Sequence, residues 1–171
     1  MTQTKYAATL VQPASSQIGK PGVNQDARWL HVTVQYAADD FPRRNCPSPK
    51  DWRLWAHAAY MGAGEMTLRL VARTEAQTLN TQWRGDAKPT NVLSFPYEQN
   101  PLVGDLVVCP QVVWQESRQQ GKTFTAHCAH MVVHGILHLQ GWDHQFDEEA
   151  EVMEARERDI LATLGFPDPY A

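Results

Sequence analysis

The stretch that most constrains this chain is His134-Gly135-Ile136-Leu137-His138-Leu139-Gln140-Gly141-Trp142-Asp143-His144, which holds three of the seven histidines in H-x3-H-x5-H spacing. On an α-helix His134 and His138 stand one turn apart on the same face, so the spacing predicts a helix here. Gly141 predicts its end, because glycine tolerates the left-handed conformation of a helix-terminating turn. The turned chain can then bring His144 back towards the other two. Two histidines at i, i+4 are commonplace on helices, but a third one placed just beyond a glycine makes a far rarer pattern. Three neutral imidazoles with a fourth position open are the usual ligand set of a catalytic zinc site. His134, His138 and His144 are therefore read as ligands of one Zn2+.

A chain of 171 residues suits a single compact domain, and 43% hydrophobic with 20% charged residues is ordinary for a soluble one. The net charge of −4 does not by itself predict a polyanion partner, so any nucleic-acid contact needs a local basic patch. Cys46, Cys109 and Cys128 show neither CxxC spacing nor an even count, and are read as reduced thiols of a cytoplasmic protein. No apolar run reaches signal-peptide or membrane-span length, which predicts a soluble, unexported protein without membrane contact. Residues 1–27 are rich in Ser, Gln, Gly, Pro and Asn and are read as a flexible lead-in to a domain spanning 28–171.

Within that domain, strands are predicted at Trp29–Tyr36, Glu65–Ala72, Val92–Tyr97 and Leu102–Cys109 from β-branched enrichment or alternation. Pro96 predicts that the third of these lies at a sheet edge or ends there. Helices are predicted from Ser48 or Pro49 to Tyr60, from a capping box of Thr74 and Gln77 to Trp83, and from Pro110 to Gln120. The metal-bearing helix is predicted at Thr125–Gln140, apolar on so wide a face that it belongs in the core. A last helix follows Asp147-Glu148-Glu149, buries Ala150, Met153, Ile160 and Leu164, and stops at Gly165. Interleaved strands and helices predict an α/β (α+β) fold with one mixed sheet and a metal-bearing central helix.

A zinc ion on three histidines lowers the pKa of bound water to roughly 7 and polarises a phosphoryl or carbonyl oxygen. Zinc peptidases of the H-E-x-x-H kind place a general-base glutamate directly after the first histidine, and here Gly135 stands there, which disfavours peptide hydrolysis. Upstream, Arg84 and Lys88 flank a Gly-Asp-Ala turn, followed by Thr90, Asn91 and Ser94. An isolated R-x3-K is usually a solvated loop. Beside a metal site lacking a peptidase base, it fits a phosphate clamp, the arginine by a bidentate fork and the lysine as a point charge. Asp143 is read as a turn or ligand-orienting residue, and Asp105 is left open.

The runs Arg84-Gly85, Lys88 through Pro96 (K-P-T-N-V-L-S-F-P), Gly104-Asp105-Leu106-Val107 and His130 through His144 resemble the YbeY family of bacterial rRNA-maturation endoribonucleases, from about Glu65 to Tyr170. The N-terminal third carries no matching motif. The resemblance implies a single-domain metalloprotein whose zinc-like ion is held by His134, His138 and His144, with Arg84 essential beside the cleft. It implies single-strand-specific cleavage of ribosomal RNA, notably in 16S rRNA 3′-end maturation, and a part in ribosome quality control, with ribosomal or small-subunit proteins as further partners. Two other readings compete. A non-catalytic ribosome-associated protein with structural zinc would need a fourth protein ligand, for which Cys128 is nearest in sequence. A metal-dependent small-molecule hydrolase would need a narrow, neutral pocket.

Overall fold

The computed structural model describes residues 29–142 and 147–171. Four strands, β1 (Leu30–Ala37), β2 (Gly64–Val71), β3 (Val92–Gln99) and β4 (Leu102–Val108), form one sheet in the order β1-β2-β4-β3. β1 and β4 run parallel to β2, whereas β3 runs antiparallel to β4, so the sheet is mixed as expected. The helices are α1 (Pro49–Ala59), α2 (Arg73–Arg84), α3 (Pro110–Gln119), α4 (Phe124–Leu139) and α5 (Asp147–Thr163).

Alternation along the strands sorts side chains onto two faces. Met66, Leu68 and Leu70 of β2 and Leu102, Leu106 and Val108 of β4 join one large core with Trp52 and Trp55 of α1, Ile136 and Leu139 of α4, and Met153 and Leu161 of α5. Val71, Leu93, Val107 and Cys109 form a smaller cluster with Ala76 of α2 on the opposite face. α4 is buried without interruption from His127 to Leu137, the central helix its composition predicts. Pro96 sits on edge strand β3, and the register shifts between Pro96 and Glu98, a bulge that accommodates the missing donor. All three cysteines are free thiols. Among the described residues no helix is long and apolar enough to cross a membrane.

Local signals explain the helix ends. Ser48 caps α1 in a reciprocal box with Asp51: Ser48 Oγ accepts from Asp51 N at 3.3 Å, and Asp51 Oδ2 accepts from Ser48 N at 2.9 Å. Ser48→Ala should cost about 1 kcal/mol, the usual loss for such a cap, and thermal unfolding should show it as a drop of roughly 2–4 °C. The predicted capping box at Thr74 does not form. α2 starts one residue earlier, at Arg73, and its N-cap Ala72 has no capping side chain. The first-turn amide of Arg73 instead donates to Asp40 Oδ2 at 2.8 Å, a cap delivered from the loop after β1 that a local pattern does not reveal.

α4 ends where its glycine predicts. Gly141 has φ +88°, its N–H donates to the His138 carbonyl at 3.0 Å, and Trp142 N–H donates to the Leu137 carbonyl at 3.1 Å. This pair of bonds is the Schellman arrangement.

Candidate metal centre

α4 carries four histidines, His127, His130, His134 and His138, spaced three or four residues apart and therefore stacked along one stripe. The first three are buried and His138, nearest the helix end, is half-buried. Buried imidazoles call for partners, and neighbouring helices supply carboxylates to three of the four, while Nδ1 of His127 and of His130 stays without one among the described residues. Glu116 of α3 meets His127 Nε2 at 2.9 Å and accepts from Asn91 Nδ2 at 3.0 Å. Glu157 of α5 meets His130 Nε2 at 2.8 Å with Oε2 and His134 Nδ1 at 2.7 Å with Oε1.

Burial alone would push the Glu157 carboxyl up, but the hydrogen bonds and charge of His130 and His134 overrule it and hold the group far below the ordinary carboxylate range. An ionised Glu157 has no proton to give, so the protons in both contacts belong to the imidazoles. His134 therefore donates from Nδ1 and turns its Nε2 away from Glu157. That nitrogen faces His138 Nε2 at 3.1 Å.

His130, His134 and Glu157 are all buried, place one donor atom each within 4.8 Å of one another, and could hold a metal ion. The separations distinguish two arrangements within this cluster. Two atoms bound to one tetrahedral zinc at roughly 2.0–2.1 Å lie about 3.3 Å apart. The contacts of Glu157, at 2.7 and 2.8 Å, are shorter and have the length of charge-assisted hydrogen bonds. The 3.1 Å between the two Nε2 atoms is close to a shared-ion spacing. His144 and Asp143 lie outside the described residues. Cys128 packs in the large apolar core and, among the described residues, no cysteine joins the metal-capable group.

Arg84 is the last residue of α2, followed by Gly85 in the left-handed conformation at φ 72°. The loop after it is fastened to α2 by three side chains that donate to its carbonyls: Thr81 Oγ1 to Asp86 at 3.3 Å, Gln77 Nε2 to Ala87 at 3.0 Å and Asn80 Nδ2 to Lys88 at 2.8 Å. Arg84 is half-buried and the Lys88 side chain exposed. Trp83 packs edge-on against Phe95 of β3 at 5.9 Å, and the adjacent Ser94 Oγ donates to the Gly135 carbonyl, beside His134, at 2.9 Å. Asp105 alternates onto the face away from α4, where its Oδ2 accepts from Tyr97 Oη at 2.8 Å.

Sequence reasoning missed Glu157, Glu116 and Tyr170. One signal for Glu157 was present: Ala150, Met153, Glu157, Ile160 and Leu164 fall on one helical stripe, so an acidic residue interrupts the apolar face of α5. An acid in that register is either solvated or answering a buried donor, and here it is fully buried.

Comparison with known proteins agrees with the fold and the motifs. A family model described as Endoribonuclease YbeY matches residues 53–165. Endoribonuclease YbeY of Nitrosomonas europaea is 48% identical over 142 residues, covering 82% of this chain and 85% of that protein. The Aromatoleum aromaticum protein of the same name is 50% identical over 143 residues, covering 83% of this chain and 93% of that protein. The solution structure of a Thermotoga maritima protein shares the fold with TM-score 0.51 at 24% identity, covering 81% of this chain and 97% of that one. Fold and site define an α+β domain with a metal-capable histidine–carboxylate centre on its central helix. The chain belongs to the YbeY endoribonuclease family, and is an enzyme of the hydrolase class.

Proposed function

We propose that this protein is a zinc-dependent, single-strand-specific endoribonuclease that hydrolyses phosphodiesters of ribosomal RNA in the cytoplasm. The reading includes 16S rRNA 3′-end maturation and ribosome quality control, with ribosomal RNA and small-subunit proteins as partners. The observation that carries it is the convergence of His134 Nε2 and His138 Nε2 at 3.1 Å, with the far nitrogen of His134 held by Glu157. His134, His138 and His144 would hold the ion. When bound there, zinc supplies Lewis acidity towards a phosphoryl oxygen and makes water a better nucleophile near neutral pH.

The remaining work falls to the chain's own side chains. Arg84 binds the scissile phosphate and offsets charge that builds on its oxygens. Its loop is already fastened to α2, so little ordering is needed when the phosphate arrives. Lys88, exposed at the end of that loop, steers the RNA backbone by charge. Single strands suit this arrangement because a flexible backbone can bend its phosphate to a fixed arginine.

Arg84→Ala tests the division of labour. Zinc content should stay at the parental level while cleavage of single-stranded RNA falls about 10²–10³-fold, the usual loss for one electrostatic donor to a transition state. Parental cleavage rates in that variant would remove Arg84 from the mechanism. Metal analysis of the purified protein, run beside cleavage of matched single- and double-stranded RNAs, tests the zinc and strand assignments.

A further inference from the structure

We infer that Glu157 is a positioning residue for the metal centre, and that Tyr170 and His130 are the props that keep its carboxylate aimed at His134. The inference rests on the reading of His134 and His138 as ligands and goes beyond it. It assigns a role to a helix and a tail segment that carry none of the motif residues.

Glu157 is 0% exposed and sits in α5 among Met153, Ile160 and Leu161. If this position only filled space, an aliphatic side chain would do so without burying a charge. What the carboxylate adds is direction. Oε1 accepts from His134 Nδ1 at 2.7 Å, which fixes the tautomer and the ring plane and leaves Nε2 facing His138. Oε2 accepts from His130 Nε2 at 2.8 Å and from the Tyr170 hydroxyl. With both donors on Oε2, the carboxylate cannot swing away from His134 without breaking two bonds.

Tyr170 is itself secured. Its N–H donates to Asp168 Oδ1 at 2.8 Å, and the Arg158 guanidinium lies 4.8 Å over its ring while pairing with Asp168 at 3.3 Å. Lys122 Nζ ties down the Pro169 carbonyl at 2.5 Å. The segment after α5 is thus fastened at several points and delivers one hydroxyl to the back of the site. Two other roles for Glu157 fit less well. A general base needs an accessible oxygen, and both oxygens already accept hydrogen bonds inside the core. A metal ligand would stand farther from its fellow ligands than 2.7 and 2.8 Å.

The test measures zinc dissociation constants by chelator competition for the full chain, Glu157→Gln, Tyr170→Phe and His138→Ala. It adds the visible spectrum of each Co2+-loaded protein and the thermal midpoint of each metal-free one. Glu157→Gln should still bind one equivalent at saturation, with affinity lowered about 10–100-fold, the range for outer partners of ligand histidines, and with shifted Co2+ bands. Tyr170→Phe should lose less, about two- to tenfold, a fraction of that range because only one prop is removed. Its metal-free thermal midpoint should stay near the parental value, which separates positioning from folding. Parental affinity and spectrum in Glu157→Gln would overturn the inference while leaving the ligand assignment intact. So would complete loss of binding in a folded Glu157→Gln, because the carboxylate would then be a ligand. If His138→Ala bound zinc like the parent, the ligand reading itself would fall, and this inference with it.

Discussion

His138→Ala should lose zinc and RNA cleavage together. Its ring is half-buried at the end of α4, so truncation removes an imidazole without opening the core. The deep part of the cluster keeps the hydrogen bonds of Glu157 to His130 and His134 in this variant, and His134 loses its 3.1 Å contact with His138. Loss of an outer partner costs about 10–100-fold in metal affinity, and loss of a ligand should exceed that, leaving the variant metal-free after ordinary dialysis. On the proposed zinc mechanism, cleavage of single-stranded RNA should fall by at least about 10²-fold, because the ion would supply Lewis acidity and make water a better nucleophile. Metal analysis and a cleavage assay on one preparation check both halves. A metal-free His138→Ala that cleaves at the parental rate would separate metal from reaction and sink the assignment.

Gly135→Ala should destabilise the fold by overpacking α4 against the sheet. A Cβ there would run into Leu106 Cδ1 and lie 3.2 Å from both Ser94 Oγ and Val92 Cγ2. Leu106 is wholly buried in β4, so its side chain can yield only by disturbing packed neighbours. Overpacking of this kind costs about 1–3 kcal/mol, which in a chain of this size lowers the thermal midpoint by roughly 2–12 °C. Differential scanning calorimetry decides it, and an unchanged midpoint would mean that α4 can lift off the sheet. The same geometry bears on the missing peptidase base. Position 135 points into the sheet, so a glutamate there would meet β4 rather than a substrate. In this fold the vacancy after the first histidine is a packing requirement.

Much of this was legible because the decisive signals are local. The H-x3-H spacing, the terminating Gly141 and the apolar breadth of α4 each follow from helix geometry, and the Schellman bonds close where the glycine stands. Pro96 marked an edge strand because a missing N–H is intolerable elsewhere in a sheet. The reading failed where partners come from far along the chain. Asp40 caps α2 across 33 residues, where no local pattern reveals it, whereas Thr74 and Gln77 have the spacing of a box that does not form. Glu157 answers His130 and His134 across 27 and 23 residues. Only its register between Met153 and Ile160 sets it apart from the other acids of α5. Arg84 and Lys88 are proposed from their residue types and the family resemblance, whereas the side chains of Gln77, Asn80 and Thr81 that pin their loop are polar residues on a helix surface, with nothing in their spacing to distinguish them.

The placement of His134 and His138, two of the three proposed ligands, on α4 ties their part of the site to the integrity of the whole domain. Were they on a surface loop, that loop could fray and surrender an ion while the domain stayed folded. α4 is instead buried from His127 to Leu137 and packs against both the sheet and its flanking helices, so opening it means dismantling the core. Any ion held there must favour the folded chain over the unfolded one, by about 4 kcal/mol at a thousandfold excess over its dissociation constant. For a domain of ordinary marginal stability that is a substantial share of the total. An ion bound as proposed would then also be a fold-stabilising ligand, and metal starvation would act on the protein's lifetime as well as on its turnover.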